Sequence, residues 1–281
     1  MGKDIRDVRQ YFSNFRISRL TSCEKNKEII ADFRALESGN ELERYLKEDA
    51  WEADSKGETC VYLVFDENSR VAAFFSLKCG LLYTKNEFDN IPDDEIGLFE
   101  DIVKALSEKD YDTVEGLKAG FDDKADEMVE LARKKLDLLN SAEYAKEDKN
   151  SSLVQVCCPA LELQHFCKNI KNHKNKYRGI PLGFGIFWEK IVPQIDKIIK
   201  IVGCQYLYLF AADQTDTEDI REKGKLIRYY KSNLNFQLPR GLLSIKPNYD
   251  LGCVAMHQKA DSLMKVREEI WERFSDNITS E

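Results

Sequence analysis

The sequence predicts a mixed α/β (α+β) fold: a largely antiparallel central sheet flanked by helices, with an acidic helical insertion. Three observations carry this. Residues 59–65 (TCVYLVF) and 70–79 (RVAAFFSLKC) are β-branched and aromatic runs on either side of a polar turn, 66–69, which marks a hairpin. Further along, a strand-like run, a glycine-containing turn, a run of helical period and a second strand follow one another. Between these regions, 84–150 holds 10 Lys and Arg against 20 Asp and Glu, with apolar residues at helical spacing.

Taken in order, 15–21 (FRISRLT) alternates like a short strand, and Ser22 is positioned to cap a helix. Ile29, Ile30, Phe33 and Leu36, then Leu42, Tyr45 and Leu46, form apolar stripes broken at 38–40, which reads as two helices. After the hairpin comes the acidic block, where Ile102, Val103 and Leu106, then Val129, Ala132, Leu136 and Leu139, recur at helical spacing. Residues 153–166 read as a strand, 183–202 as a helix, 204–211 as a buried strand and 225–234 as a short helix. Two strands, 242–245 and 252–257, precede a charged helix over 259–274. One domain spanning 1–281 with an insertion at 84–150 is expected.

Composition narrows the function. At 281 residues, 43% hydrophobic and 33% charged, the chain suits a globular protein with a sizeable core. A formal charge of −8 argues against a general nucleic-acid binder. Eight cysteines without a C-x-x-C pair, no signal-like start and no apolar run long enough to span a bilayer point to a reducing cytoplasm, without a membrane partner. His165, His173 and His257 are scattered without ligand spacing, so no metal is expected.

The segment KYRGIPLGFGIFWEK, 176–190, contains Gly179, Gly183 and Gly185. Glycines before a helix allow a phosphate to approach backbone N–H groups at the positive end of the helix dipole. Alone the motif is weak: it lacks the Lys-Ser/Thr of a P-loop, and its spacing is not that of a dinucleotide fingerprint. On the strand-like run upstream, Glu162 stands in apolar surroundings that would raise a carboxyl pKa towards the range of a general base. Ala160, Glu162 and Gln164 are expected on one strand face, with Leu161, Leu163 and His165 on the other. His165 is a second candidate base, and Cys167 a conceivable nucleophile with no readable His/Asp partner.

The order of strand PALELQHFCK (159–168), loop RGIPLG (178–183), helix, strand CQYLYLFAAD (204–213) and helix LIRYYKSNLNF (226–236) resembles the GNAT superfamily of acyl-CoA-dependent N-acyltransferases. That family carries Q/R-x-x-G-x-G/A at the loop and Y-x-x-x-G-F at the tyrosine helix. The resemblance implies acetyl-CoA as co-substrate and direct attack by an amine in a ternary complex, with no acyl-enzyme. The backbone of Phe166, Cys167 and Lys168 would pair with the pantetheine arm. The N–H groups of Arg178, Gly179, Ile180, Leu182 and Gly183 would hold the pyrophosphate, with Pro181, lacking an N–H, where the pattern has glycine. Tyr230 would protonate the leaving thiolate if one extra residue precedes Asn235 and Phe236; Tyr229 is the competing choice. Glu162 would be the base. The acceptor is a primary amine on a small molecule or protein, and the acidic insertion could attract it; a homodimer is left open. The alternatives are a catalytically inactive CoA-binding or protein-interaction module with the same fold, and a nucleotide-binding α/β protein.

Overall fold

A computed structural model describes residues 5–84, 95–121, 124–147, 157–171, 180–212, 224–239, 242–244 and 253–279. The chain divides into two compact units. One holds Met1–Leu82, Cys158–Arg240 and Ser244–Glu281; the other holds Tyr83–Cys157 and Gly241–Leu243.

In the first unit, β1 (Arg16–Arg19), β2 (Cys60–Phe65), β3 (Val71–Thr84), β4 (Cys157–Lys168), β5 (Tyr206–Ala211) and β7 (Val254–Lys259) lie side by side in that order. β1–β2, β2–β3 and β5–β7 are antiparallel, while β4–β5 is parallel. The expected hairpin forms because Asp66 closes its turn: Oδ1 accepts the N–H groups of Asn68 and Arg70, both at 2.9 Å.

Alternating side chains feed two apolar layers. Phe75, Leu77, Leu161, Leu163, Leu207 and Leu209 join one layer, with helix α1 (Ile5–Ser13), the helix starting at Leu182 and helix α11 (Leu263–Thr279). Val61, Leu63, Phe65 and Phe74 join the other, with residues of α2 (Lys25–Ala31), α3 (Asn40–Glu48) and α4 (Ala50–Ser55). The first turn after β1 departs from expectation. Leu20–Ser22 form a 3₁₀ turn, and the Ser22 hydroxyl binds Arg19 O at 2.6 Å instead of capping α2. α1 was not foreseen. Its Val8, Tyr11 and Phe12 are buried at helical spacing, although the stretch as a whole is polar.

The helix after the glycine stretch is continuous in three parts: α8 (Leu182–Ile186), a π-helical turn (Phe187–Ile191) and α9 (Val192–Val202). A π turn rotates the backbone and exposes carbonyls. Here Arg267 Nε donates to Trp188 O at 2.8 Å, and Glu189 turns inward to Arg9 and Arg267. Gly185 explains one of the three glycines, since a Cβ there would collide with the Phe12 ring of α1. Gly185→Ala is expected to destabilise the protein by about 1–3 kcal/mol through overpacking, read as a lower urea midpoint at an unchanged m-value.

In the second unit, α5 (Ile96–Ser107), α6 (Tyr111–Lys118) and α7 (Ala125–Glu147) pack around Phe99, Ile102, Leu106, Val114, Met128 and Val129. Asp110 caps α6 by accepting Thr113 N–H at 3.1 Å, and Lys135 pairs with Glu100. There, too, β6 (Leu242–Leu243) pairs antiparallel with Tyr83 and Thr84. Among the described residues no helix is long and apolar enough to cross a membrane.

Candidate active site

The site is organised by the way β4 and β5 part. Their parallel ladder covers three positions, Ala160, Leu161 and Glu162 against Tyr206, Leu207 and Tyr208. Neither strand ends there: β4 continues to Lys168 and β5 to Ala211. Past Glu162 the facing edges of β4 and β5 no longer share a ladder, so backbone donors and acceptors line the opening. Phe166, Cys167 and Lys168 lie on this part of β4. Asn169 anchors its end, donating from its backbone to Ala72 O at 2.8 Å and from Nδ2 to Val71 O at 3.0 Å.

Beyond that end, Pro181 is the residue before the first helical turn (φ −60°, ψ 133°), and its carbonyl accepts Gly185 N–H at 3.2 Å. As the N-cap residue, Pro181 lends its carbonyl to the helix but has no N–H to add to the free donors of the first turn. The N–H groups of Leu182 and Gly183 belong to that turn. Ile180 is buried before the cap. Arg178 and Gly179 lie outside the described residues.

Glu162 faces Tyr208 across the strand pair, and Tyr208 Oη donates to its Oε2 at 3.1 Å. Burial raises the Glu162 pKa above the ordinary carboxylate value, against smaller lowering effects from the Tyr208 hydrogen bond and the Lys78 charge. Gly80 of β3 makes this arrangement possible, because a Cβ there would collide with the Tyr208 hydroxyl. Sequence reasoning missed both Gly80 and Tyr208. The signal was weak: each sits inside an apolar strand run, and their meeting depends on strand order. On the same face, a pocket of about 430 Å³ is lined by Tyr45, Asp49, Glu58, Lys78 and Gln164, among others.

The tyrosines sit on α10 (Lys225–Leu234). A Cβ on Gly183 would lie 3.2 Å from Tyr229 Oη and 3.7 Å from the Phe166 ring, so the first helical turn, Tyr229 and β4 converge. Burial pushes the Tyr229 phenol well above its ordinary value and that of Tyr230 up to about 12, so both stay protonated near neutral pH. The extra residue in the tyrosine motif has a structural counterpart. Asn235 takes a left-handed conformation (φ 58°) at the helix end, where the pattern has glycine. The N–H of Phe236 donates to Tyr230 O at 3.0 Å, six residues back. In a Schellman end this bond spans five residues. The final turn is thus one residue wider, and Tyr230 keeps the backbone relation to Phe236 that the motif's tyrosine would have.

Two expectations about β4 need correction. His165 does not share a layer with Leu161 and Leu163. Its ring stacks on Tyr45 with centroids 4.0 Å apart, and its Nδ1 lies 2.8 Å from Ser76 Oγ. Gln164 reaches the same side, lining the pocket with Tyr45. Two consecutive residues on one side break the alternation, as at a bulge, after which Phe166 packs on one layer and Cys167 in the other. Burial lowers the His165 pKa to about 4, which leaves it a poor base near neutrality. Burial, with the Glu43 charge adding to it, pushes the Cys167 thiol up to about 12, which disfavours the thiolate a nucleophile needs. Among the described residues no three metal-ligating side chains lie together.

The fold is a mixed, mostly antiparallel sheet flanked by helices, with a helix that starts at Leu182 lying between β4 and β5 in the chain. No protein-family model and no curated protein matches the chain. Similar solved structures include a mutant of the AtaT toxin, 11% identical with a TM-score of 0.48, covering 90% of this chain and 94% of that one. AtaTR bound with AcCoA is 11% identical with a TM-score of 0.45, covering 90% and 97%. AtaT complexed with acetyl-methionyl-tRNAfMet is 12% identical with a TM-score of 0.45, covering 90% and 98%.

Proposed function

We propose that this protein is an N-acetyltransferase that moves an acetyl group from acetyl-CoA to a primary amine by direct attack in a ternary complex. The parting of β4 and β5 carries this reading. It presents an unladdered strand edge near a helix N-terminus, with the Tyr229 hydroxyl beside that first turn and Tyr230 next to it on α10. An extended arm with amide groups can add to such an edge as a strand would, with phosphates at the first turn. The backbone of Phe166, Cys167 and Lys168 takes the arm, and the N–H groups of Leu182 and Gly183 take phosphate oxygens. Arg178, Gly179 and Ile180 are assigned to the same loop by sequence resemblance.

In the reaction, the lone pair of the neutral amine attacks the thioester carbonyl, and Glu162 takes the proton that the nitrogen loses as the C–N bond forms. The C–N bond forms, the C–S bond breaks, and Tyr230 protonates the thiolate. Asp49, Glu52 and Glu58 line the adjacent pocket together with Lys56 and Lys78, and Lys56 pairs with Glu52, so this pocket adds little net attraction for a cationic acceptor. The test is acetyl-CoA thiol release across an amine panel that includes methionyl-tRNA, which also checks the expectation, drawn from net charge alone, that no nucleic acid takes part. Amine-dependent release, with thermal stabilisation by acetyl-CoA, supports the proposal. Stabilisation without release favours an inactive CoA-binding module, and stabilisation by ATP alone favours a nucleotide-binding protein.

The base assignment predicts a pH dependence. Burial keeps the Glu162 carboxyl protonated to a higher pH than an ordinary carboxylate, so kcat/KM should rise as pH climbs through that raised value. The Tyr208 hydrogen bond favours the ionised form. Tyr208→Phe should therefore move the rising limb to higher pH, and Glu162→Gln should abolish it. A limb that stays put in both variants removes Glu162 from the mechanism.

A further inference from the structure

β7 brings a third polar residue to the row that crosses the sheet at the parting point. Glu162 of β4 is in register with Tyr208 of β5, and Tyr208 with His257 of β7. The backbone of His257 is turned away from β5: its N–H donates to Gln237 O at 2.9 Å and its carbonyl accepts Gln237 N–H at 2.8 Å. Tyr208 and His257 are thus a non-hydrogen-bonded antiparallel pair, the closer kind, with Cα atoms about 4.5 Å apart and side chains on one face. Adding one parallel strand spacing puts the Cα atoms of Glu162 and His257 roughly 9–10 Å apart.

Tyr208 lies between them in the sheet but leans the other way. Its hydroxyl reaches Glu162 and Gly80, on the β4 and β3 side. The His257 ring meets the edge of Tyr206, centroids 5.6 Å apart. Both its ring nitrogens are buried, and no protein group among the described residues hydrogen-bonds either one. Gln164 Oε1, two residues along β4 from Glu162, is likewise buried without a partner among them. Buried polar atoms nearly always have partners, because an unmet one is costly. His257, in the same cross-sheet row as Glu162, thus offers an acceptor that a polar ligand can satisfy.

We propose that His257 is a further residue of the amine site, accepting one N–H of a primary amine whose other N–H lies on Glu162. The inference rests on the acetyltransferase reading. During attack the nitrogen lone pair must point at the thioester carbon, so its two N–H groups need acceptors elsewhere. Glu162 and His257 supply them from opposite sides of Tyr208. The proton lost as the C–N bond forms passes to Glu162, the thiolate takes its proton from the tyrosine, and His257 remains neutral throughout. A secondary amine has one N–H fewer for this pair, so the site selects primary amines.

The test compares kcat/KM for tryptamine, phenethylamine and a lysine-free glycyl peptide with that for their N-methyl counterparts. The wild-type protein should favour the primary amine. His257→Leu should shrink that preference roughly three- to tenfold, the value of one lost hydrogen bond, without changing KM for acetyl-CoA. His257→Asn or His257→Gln should restore part of it. If His257→Leu lowers both amines of a pair equally, the residue is structural and the inference fails while the acetyltransferase reading stands. A wild-type protein that binds acetyl-CoA but acetylates no amine overturns both.

Discussion

Tyr230→Phe should lower kcat roughly 10³-fold, within the span lost when a general acid is removed, while leaving acetyl-CoA affinity nearly unchanged. The substitution deletes one oxygen and keeps the ring, which packs against Phe236 with centroids 6.0 Å apart and neighbours Tyr229 at the same distance. Its phenol is held protonated up to about 12, so it reaches the reaction as a donor. Tyr229→Phe should behave differently. Its hydroxyl lies beside Gly183 at the first helical turn, so its loss should raise KM for acetyl-CoA more than it lowers kcat. Steady-state thiol release with calorimetric acetyl-CoA titration separates the two. A kcat defect confined to Tyr229→Phe would move the acid role there and undo the argument from the widened helix end.

Glu189→Ala should cost about 3 kcal/mol of stability, at the lower end for breaking a buried ion pair. The carboxylate is buried, with side-chain exposure of 3%, and lies against Arg9 Nε at 3.1 Å and against Arg267. Those arginines belong to α1 and α11, so one side chain in the π turn ties three helices together. Glu268, on the surface, holds both arginines as well and limits the loss. Urea denaturation of this variant measures the effect. A change under about 1 kcal/mol would mean the network behaves as an exposed one, worth little.

Much of the strand and helix order could be read from the chain, because these elements have strong periods. β2 and β3 are β-branched runs around an Asp66 turn, and α10 matches its expected span from Lys225 to Leu234. Glu162 stood out as a lone carboxylate among apolar residues, and the structure places it in a half-buried setting of the expected kind. What escaped were features made by distant partners. α1 is polar over most of its length and earns its place by setting Phe12 on Gly185. Gly80 and Tyr208 become meaningful only when β3 and β5 flank β4. The break in alternation at Gln164 and His165 could not be seen in a strand whose residues simply alternate on paper.

The short β4–β5 ladder has a consequence for how this sheet yields under load. A long ladder can open only by giving up directional bonds one after another. Across this seam only three positions are laddered, and cohesion passes instead to Leu161, Leu163, Leu207 and Leu209 in a common apolar layer. Apolar contact has no preferred direction. The seam is therefore held more by non-directional apolar contact than by backbone bonds, in contrast to the six-position β5–β7 ladder beside it.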